Sequence, residues 1–541
     1  MIATKQKNMA EAFGWFPSES SFVFFTAKEL DEAAESFRQP AFVVIDPKTG
    51  QPGVGFGGRP GPVGKGGYPC LGLLPGLYPE WLGDRGFNAA HGTRFPYLGG
   101  EMARGISSAA MVVALGRAGM MGFYGAGGMP PQDVREAIHQ IKKGLSANEP
   151  WGCNLIHSPG LSALEDALVD LFLEEEVRRV CASAYMRLTP PVVRYAFKGI
   201  HVGQDGRIVR PNGLFAKISR PEVAIHFISP PPSKILQALV SNGQLSSQEA
   251  ELASKEPLAQ DITVEADSGG HTDNQVLGAA FPVIRDLCDR ITGNYGYSGA
   301  IRLGAAGGLG NPAALAGAFA MGAAYVVTGS INQCSMEAGI SQEAKAMLAK
   351  AGVSDVTMCP SADMFEMGVK VQVLKRGTMF PGRASQLYEL YVRYPSLEAI
   401  PKETRDKLEK QVFRKPFEEV WEETRAFFAA VAPSAIERAE KDPKQKMALV
   451  FRWYLGQSSR WPIVGEKDRA VDYQIWCGAA MGAFNEWVKG TFLEPVESRT
   501  VVQIALNLLE GAAKVMRAHQ LRTFGVPMPS QAFDFTPRPL A

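Results

Sequence analysis

The sequence predicts an α/β protein built on a (β/α)8 TIM barrel, with an N-terminal extension and a C-terminal helical domain. From about residue 95 to residue 355, short apolar strands alternate with amphipathic helices, a pattern that produces parallel sheets. Eight such units favour closure into a barrel over an open sheet. No intact GxGxxG follows the first strand, as an open dinucleotide-binding sheet would require. The predicted domains are residues 1–93, 94–360 and 361–541.

The barrel prediction depends on eight short segments that are rich in apolar residues. Helical segments separate them, among them Ser107–Arg117 and Leu161–Glu175, the second with leucines on one stripe. The eight predicted strands are Pro96–Leu98, Met121–Tyr124, Trp151–His157, Val180–Tyr185, Leu214–Ser219, Ile262–Ala266, Ala300–Gly304 and Tyr325–Thr328.

The flanking regions have different patterns. Near the N-terminus Ala41–Ile45 is a predicted strand, and the Gly/Pro-rich stretch Gly53–Pro69 is predicted as an irregular loop, because no helix follows it as a phosphate loop requires. After residue 360, Lys402–Gln411 and Glu437–Lys446 read as charged helices. Five of the eight tryptophans lie in this region, which predicts a helical domain with an aromatic core. They are Trp421, Trp453, Trp461, Trp476 and Trp487.

Composition limits the classes of function. A formal net charge of +1 argues against a nucleic-acid or membrane partner that binds through global charge. Seven scattered cysteines without a CxxC pair suit a reducing compartment, and the N-terminus lacks a signal-peptide core, so a cytoplasmic location is expected. The longest apolar run, Ala313–Val327, is shorter than the roughly 20 residues of a spanning helix. The sequence contains no HxxxH or HxH spacing, so the histidines give no indication of a metal site.

Two glycine-rich loops predict where a phosphate binds. In TIM barrels the active site lies at the C-terminal ends of the strands, and a phosphate commonly binds after strands seven and eight. Here Gly307 and Gly308 follow the seventh strand, and Gly329 and Ser330 follow the eighth. Glycines admit a ligand close to backbone N–H groups, and a helix N-terminus supplies positive potential. Tight turns between strand and helix are the alternative explanation.

Three polar residues at or near strand ends are further candidates. His271 follows Gly269 and Gly270 in the loop after the sixth strand, where it can act as a proton donor or bind a substrate oxygen. Lys217, inside an apolar strand, needs a negative partner, either a reduced flavin or a buried Asp or Glu. The amide of Asn154, in the third strand, either contacts a flavin edge or fixes a neighbouring loop.

The same residues carry a resemblance to a known family. The segments AKIS, SGGH, GAAGGLG and VVTGS resemble the superfamily of FMN-dependent nitronate monooxygenases and enoyl-acyl-carrier-protein reductases. The longer segments EADSGGHTDNQ, DVTMCPSADMFEMGVKVQVLKRG and DYQIWCGAAMGAFNEWVKG are similar to the PfaD family. Its members are stand-alone enoyl reductases of polyunsaturated fatty acid synthases and of polyketide synthases that use trans-acting enzymes. The similarity runs from about residue 15 to residue 525.

The resemblance implies FMN as cofactor, NADPH as reductant and acyl carrier protein domains as partners, and it is compatible with a homodimer. It implies that Gly307, Gly308, Gly329 and Ser330 bind the FMN phosphate and that His271 is the catalytic residue. The remaining implied flavin contacts are Met102, Ala103, Asn154, Lys217, Gly269 and Gly270. A nitronate monooxygenase that uses O2, or a megasynthase scaffold without catalysis, are the alternatives. We also expect a basic surface within residues 367–393 to bind the carrier, since Lys370, Lys375, Arg376, Arg383 and Arg393 outnumber the acids there.

Overall fold

The first strands that the structure describes form a six-stranded antiparallel sheet. The structure, a computed structural model, describes residues 13–62, 64–157, 162–297 and 299–541. The strands are β1 Gly14–Phe16, β2 Phe22–Phe24, β3 Ala41–Ile45, β4 Pro52–Phe56, β5 Arg59–Gly61 and β6 Tyr68–Leu74. Their order in the sheet is β2–β4–β3–β6–β1–β5. Helix α1 (Ala27–Glu35) connects β2 to β3 and begins with a capping box at Thr26.

The prediction of an irregular loop over Gly53–Pro69 is wrong, because β4, β5 and the start of β6 lie in this stretch. The glycines serve packing within the sheet. A Cβ on Gly55 would lie 3.0 Å from the ring of Trp15, and one on Gly53 would lie 2.4 Å from the ring of Phe25. In this segment β4 pairs with β3, and β5 pairs with β1. The backbone of these strands is therefore satisfied by partners that the local sequence does not reveal.

Eight parallel strands close into a barrel, as predicted. Each predicted strand is present within two residues, the largest offset being Arg302–Ala306 in place of Ala300–Gly304. The barrel strands are β7 Tyr97–Gly99, β8 Met121–Tyr124, β9 Trp151–Ile156, β10 Arg179–Ser183, β13 Gly213–Ile218, β14 Asp261–Glu265, β16 Arg302–Ala306 and β17 Tyr325–Thr328. Outside the barrel, β11 His201–Val202 and β12 Ile208–Val209 form a hairpin, and β15 is Gly270–His271.

Helices surround the barrel strands. The predicted helices Ser107–Arg117 and Leu161–Glu175 are confirmed as Ala109–Arg117 and Ser162–Glu174, with Leu161 outside the described residues. The helices through the barrel are α2 Arg85–His91, α3 Ala109–Arg117, α4 Pro131–Gly144, α5 Ser162–Glu174, α6 Pro190–Phe197, α7 Pro221–Ile228, α8 Ser233–Ser241, α9 Ser247–Ala253, α10 Leu277–Tyr295, α11 Pro312–Ala320 and α12 Gln342–Leu348.

Helix α2 closes the N-terminal end of the barrel. Its Phe87 stacks on Tyr325 with ring centroids 4.5 Å apart. Its His91 contacts the fully buried carboxylate of Asp261 at 3.0 Å, and Arg302 donates to the same carboxylate at 2.7 Å. With this end closed by aromatic packing and a buried ion-pair network, a ligand reaches the barrel interior from the C-terminal end.

The C-terminal region adds a small sheet and seven helices within the described residues. Strands β18 (Val356–Pro360) and β19 (Lys370–Leu374) pair antiparallel, and β19 also pairs with β15. The helices are α13 Phe380–Arg393, α14 Lys402–Leu408, α15 Phe417–Val431, α16 Pro433–Lys441, α17 Pro443–Val464, α18 Ala480–Val488 and α19 Val501–Thr523.

The predicted aromatic core of this region is present. The ring of Phe413 packs against the rings of Trp453 and Tyr454, and Trp461 contacts both. The prediction of one continuous helix over Glu437–Lys446 is wrong, because these residues are divided between α16 and α17. The cause is Asp442–Pro443: the Asp442 carboxylate caps α17 and Pro443 occupies its first turn.

Helix α19 joins the N-terminal sheet to the barrel. Gly511 on α19 lies against Pro312 at the start of α11, where a Cβ would come within 2.5 Å of the proline ring. Glu510 accepts hydrogen bonds from Arg38, which precedes β3. In the described ranges, no helix has the length and apolar character needed to cross a membrane.

Candidate active site

A cavity of about 690 Å3 lies at the C-terminal ends of the barrel strands. Its floor comes from the barrel loops, and part of its wall comes from the C-terminal region, including Asp363 and Trp476. Every residue that was predicted to bind the cofactor or to be catalytic lines this one cavity: Met102, Ala103, Asn154, Lys217, Gly269, Gly270, His271, Gly307, Gly308, Gly329 and Ser330. The barrel topology therefore brings together residues that are up to 228 positions apart, as from Met102 to Ser330.

The two glycine loops form an open backbone cradle at one side of the cavity. Gly307 and Gly308 have φ angles of 87° and 71°, in the region that favours glycine. A Cβ on Gly308 or on Gly329 would meet no atom within 4 Å, so both face open space. Among the described residues, the N–H groups of Gly307, Gly308 and Gly329 donate to no protein acceptor. These groups and the hydroxyl of Ser330 are suited to bind an anion.

Lys217 lies on the cavity floor between two carboxylates. Its Nζ is 2.7 Å from Glu265 Oε1 and 3.4 Å from Glu101 Oε1. Burial disfavours the ammonium, but the two carboxylates outweigh it and raise the pKa of Lys217 above its usual value. Of the two partners left open by the sequence, the buried carboxylate is therefore present. The side chain of Lys217 is therefore held as an ammonium on the cavity floor, between these two carboxylates.

Asn154 offers an acceptor to the cavity. Its Nδ2 donates to Cys181 O at 3.1 Å and to Ser183 Oγ at 2.9 Å, both on β10. Since the two amide protons are used inside the barrel wall, the Oδ1 atom is the part of this side chain left for a ligand. The amide thus fixes the neighbouring strand and also presents an oxygen.

The loop after β7 carries Met102 and Ala103. Gly125 allows this loop to lie close to the end of β8, since a Cβ there would be 1.8 Å from the carbonyl oxygen of Met102. The N–H of Arg104 donates to Gly127 O at 2.8 Å, with Arg104 at a φ of 59°. This tight turn places the two predicted flavin contacts at the cavity surface.

His271 is held at the cavity wall by the C-terminal region. Strand β15 pairs with β19, opposing His271 to Val371. Its Nε2 lies 3.1 Å from Asp363 Oδ1, and the two side chains are 29% and 42% exposed. Burial disfavours the imidazolium, but the hydrogen bond and charge of Asp363 outweigh it and raise the pKa of His271. Because Nε2 bonds to Asp363, Nδ1 is the ring atom left for a ligand.

The backbone around Gly269 and Gly270, which precede His271, explains why glycine occupies these two positions. A Cβ on Gly269 would lie 2.7 Å from the backbone nitrogen of Cys477, so Gly269 lets the C-terminal region approach this loop. Gln372 on β19 donates to the carbonyl of Ser268 at 2.8 Å. Gly270 has a φ of 81°, in the region that favours glycine, so it provides the backbone turn that precedes His271.

Sequence reasoning missed three carboxylates of the site. Glu265 ends the sixth barrel strand, and a polar residue at that place was a usable signal. Glu101 and Asp363 gave no such signal in the sequence, because their partners, Lys217 and His271, lie 116 and 92 residues away along the chain. Among the described residues, no group of three or more His, Cys, Asp or Glu side chains is arranged to hold a metal ion.

The expected basic surface over residues 367–393 is only partly free. Arg383 forms an ion pair with the buried carboxylate of Asp472, and Arg376 pairs with Asp355 at 3.1 Å. Arg383 is therefore held within the fold, whereas Arg376 is an exposed residue in a surface ion pair. Among the described residues, the exposed cations of this segment without a carboxylate partner are Lys370, Lys375 and Arg393.

Most of the chain is similar to a solved enoyl reductase domain. The crystal structure of the enoyl reductase domain of MlnA, from the macrolactin biosynthesis cluster of Bacillus amyloliquefaciens, is 40% identical. The match covers 82% of this chain and 99% of that domain, with a TM-score of 0.78. The inserted helical domain of [acyl-carrier-protein] S-malonyltransferase matches as a family model over residues 394–473.

Two longer proteins match a similar share of the chain. One of the polyunsaturated fatty acid synthase subunits of Thraustochytrium sp. (strain ATCC 26185 / S-3) is 47% identical over 448 residues. Polyketide biosynthesis protein PksE of Bacillus subtilis (strain 168) is 44% identical over 441 residues. Each match covers 82% of this chain but only 30% and 57%, respectively, of the longer protein.

Proposed function

This chain belongs to the PfaD-like family of enoyl reductases, and from that premise we propose that it reduces the α,β double bond of acyl thioesters carried by acyl carrier protein domains. The reaction would serve polyunsaturated fatty acid or polyketide synthesis. The observation that carries the proposal is the single cavity in which an anion cradle, a charged lysine and a histidine–aspartate pair meet.

FMN fits the residues of this cavity. The cradle of Gly307, Gly308 and Gly329 offers backbone donors and space to a dianionic phosphate. Lys217 supplies positive charge to the electron-rich pyrimidine edge of a reduced isoalloxazine, and Asn154 Oδ1 can accept from a ring N–H. When bound, FMN supplies the hydride that the double bond receives at its β-carbon, with NADPH as the reductant.

His271 is the proposed catalytic residue. Reduction of the β-carbon builds negative charge on the thioester oxygen, and the α-carbon then needs a proton. Asp363 holds Nε2 and favours the imidazolium, so Nδ1–H of His271 is available to the substrate as a hydrogen-bond or proton donor. Asp363 acts through His271 and is a positioning residue.

The carrier protein is the proposed partner. A thioester on a carrier arm must reach the open, C-terminal end of the barrel, where the C-terminal region forms part of the wall. The exposed Lys370, Lys375 and Arg393 give this region positive charge, which favours an acidic carrier domain.

The test compares two reactions of the flavin-loaded protein. Under anaerobic conditions, NADPH oxidation should accompany stoichiometric conversion of a crotonyl-carrier thioester to the butyryl thioester, detected by mass spectrometry. An alkyl nitronate in air should give no turnover. Oxygen-dependent nitronate turnover without thioester reduction would identify a nitronate monooxygenase instead. Inactivity on both substrates would favour the scaffold alternative.

A further inference from the structure

Two methionines at the cavity are exposed although their side chains are apolar. Met186 is 58% and Met367 is 66% exposed, and both line the cavity that contains His271. Single apolar side chains scattered over a surface are ordinary, whereas apolar side chains exposed together around a cavity are typical of a ligand-binding groove. Each of the two belongs to a turn that neighbouring residues hold in place.

Met367 ends a short 3-10 helix that begins at Phe365. The side chain of Phe365 is fully buried and packs edge-on against the ring of Tyr388, with ring centroids 5.5 Å apart. Glu366 accepts a hydrogen bond from Arg452 at 3.1 Å. Since Phe365 and Glu366 supply the contacts with helices α13 and α17, the fold does not depend on the exposed side chain of Met367.

Met186 follows strand β10 in a turn that has a similar anchor. The ring of Tyr185 is buried and stacks on His157 with centroids 5.0 Å apart. Its hydroxyl donates to Glu165 Oε1 at 2.8 Å. Ala184 has a φ of 61°, which residues other than glycine rarely adopt, so the backbone turns sharply before Tyr185. This turn uses Tyr185 as its anchor and leaves Met186 exposed at the cavity.

Both methionines lie near the proposed catalytic residue. Met367 is four residues after Asp363, whose carboxylate lies 3.1 Å from His271 Nε2. In the barrel, β10 pairs with β13 and β13 pairs with β14, so one strand separates the turn of Met186 from the loop of His271. Neighbouring strands are about 4.8 Å apart, so the ends of β10 and β14 are roughly 10 Å apart. A chain of several methylene groups can span this distance.

The chemistry of methionine suits a flexible apolar ligand. Its unbranched thioether side chain adapts its shape to a partner and has no hydrogen-bond donor. Other apolar side chains of the same cavity extend this surface, namely Ile218, Val223, Met364 and Val369. A hydroxyl group bound against such side chains would lose water without gaining a strong partner, which is unfavourable.

We propose that Met186 and Met367 line an acyl-chain subsite, which binds the part of the thioester that extends beyond the reacting double bond. The ligand is an apolar alkyl or alkenyl chain longer than that of a crotonyl group, without a hydroxyl group near the double bond. This inference rests on the proposed function and names the substrate class of the same site.

The experiment compares chain lengths on the flavin-loaded protein. The substrates are trans-2-enoyl N-acetylcysteamine thioesters of four, six and eight carbons, which carry no phosphopantetheine arm. In the parent protein kcat/KM should rise with chain length, by as much as about fourfold for each methylene group that leaves water. A hydroxyl group on carbon 5 of the eight-carbon substrate should lower kcat/KM.

Glutamine variants test the two methionines, because glutamine keeps the length of the side chain and makes it polar. Met186→Gln and Met367→Gln should each lower kcat/KM about tenfold for the eight-carbon substrate and much less for the four-carbon substrate. Met336→Gln is the matched control, since Met336 is 57% exposed but lies outside the cavity. This control should keep the chain-length dependence of the parent. Because Met186 and Met367 belong to separate turns, either variant tests the subsite if the other fails to fold.

Binding is measured separately from turnover. The saturated butyryl and octanoyl N-acetylcysteamine thioesters undergo no reduction, and calorimetry should show that the parent protein binds the octanoyl thioester more tightly. The two glutamine variants should lose this difference. If the parent shows it but reduces no enoyl thioester, the subsite stands and the reductase assignment falls.

Three results would overturn the subsite. The first is a parent protein whose binding and turnover do not depend on chain length, and the second is an equal loss in Met336→Gln. The third is a loss in Met186→Gln and Met367→Gln that is the same for all chain lengths. That result would assign the methionines to the thioester end of the substrate or to the fold.

Discussion

Gly308→Asp tests whether the glycine loops hold the flavin phosphate. A Cβ at this position meets no atom within 4 Å, so the new side chain starts in open space, where its carboxylate lies beside the proposed phosphate cradle. At about 4 Å, two unit charges interact by ~1 kcal/mol in water and ~4 kcal/mol in a medium of effective dielectric constant 20. For a dianionic phosphate at this partly open site we expect a penalty of about 2–4 kcal/mol, or roughly 30- to 1000-fold in Kd.

The assay is flavin retention. Purified variants are passed through gel filtration, the ratio of bound FMN to protein is measured by absorbance, and the Kd follows from reconstitution with added FMN. Gly308→Asn is the matched control, because it has the same shape without the charge and asparagine tolerates the φ of 71° better than most residues. We expect Gly308→Asn to keep most of the flavin and Gly308→Asp to lose it. Full loading of Gly308→Asp, or equal loss in both variants, would refute the charge argument.

Four further predictions address the other residues of the cavity. His271→Ala should retain FMN and lose ~10²-fold in kcat for the acyl thioester, and unchanged turnover would make His271 structural. Asp363→Asn should move the alkaline limb of the pH–rate profile to lower pH, because the Asp363 carboxylate raises the pKa of His271 and keeps the imidazole protonated as pH rises. An alkaline limb at the same pH in Asp363→Asn would contradict the pairing of Asp363 with His271. Lys217→Met leaves its two carboxylates uncompensated and should destabilise the protein by ~3 kcal/mol, measured as a lower denaturation midpoint; an unchanged midpoint argues against a buried ion pair. Lys375→Glu with Arg393→Glu should raise KM for a carrier-bound substrate and not for a small thioester, and equal loss on both would place carrier binding elsewhere.

The barrel could be predicted because its signal is local. Each strand is a short apolar segment and each helix has its own periodicity, so all eight strands were found within two residues. The positions of the glycine loops follow from strand order alone, since parallel strands end at the same edge of a barrel. The prediction for the Gly/Pro-rich segment Gly53–Pro69 was wrong for the opposite reason. Its strands depend on partners such as β3 and on the ring of Trp15, neither of which is local.

What the sequence determined by itself is therefore the barrel, its open end and the glycine loops and His271 at that end, because strand period and loop position are properties of neighbouring residues. What only the tertiary structure decided is how those residues are paired. Asp363 reaches His271 through the pairing of β15 with β19, and Glu101 reaches Lys217 across the barrel. Arg383 likewise forms an ion pair with Asp472, which lies 89 residues away along the chain. Charge pairs act over a few ångströms in space and at any separation along the chain, so the folded chain alone fixes which charges are satisfied and which remain for a ligand.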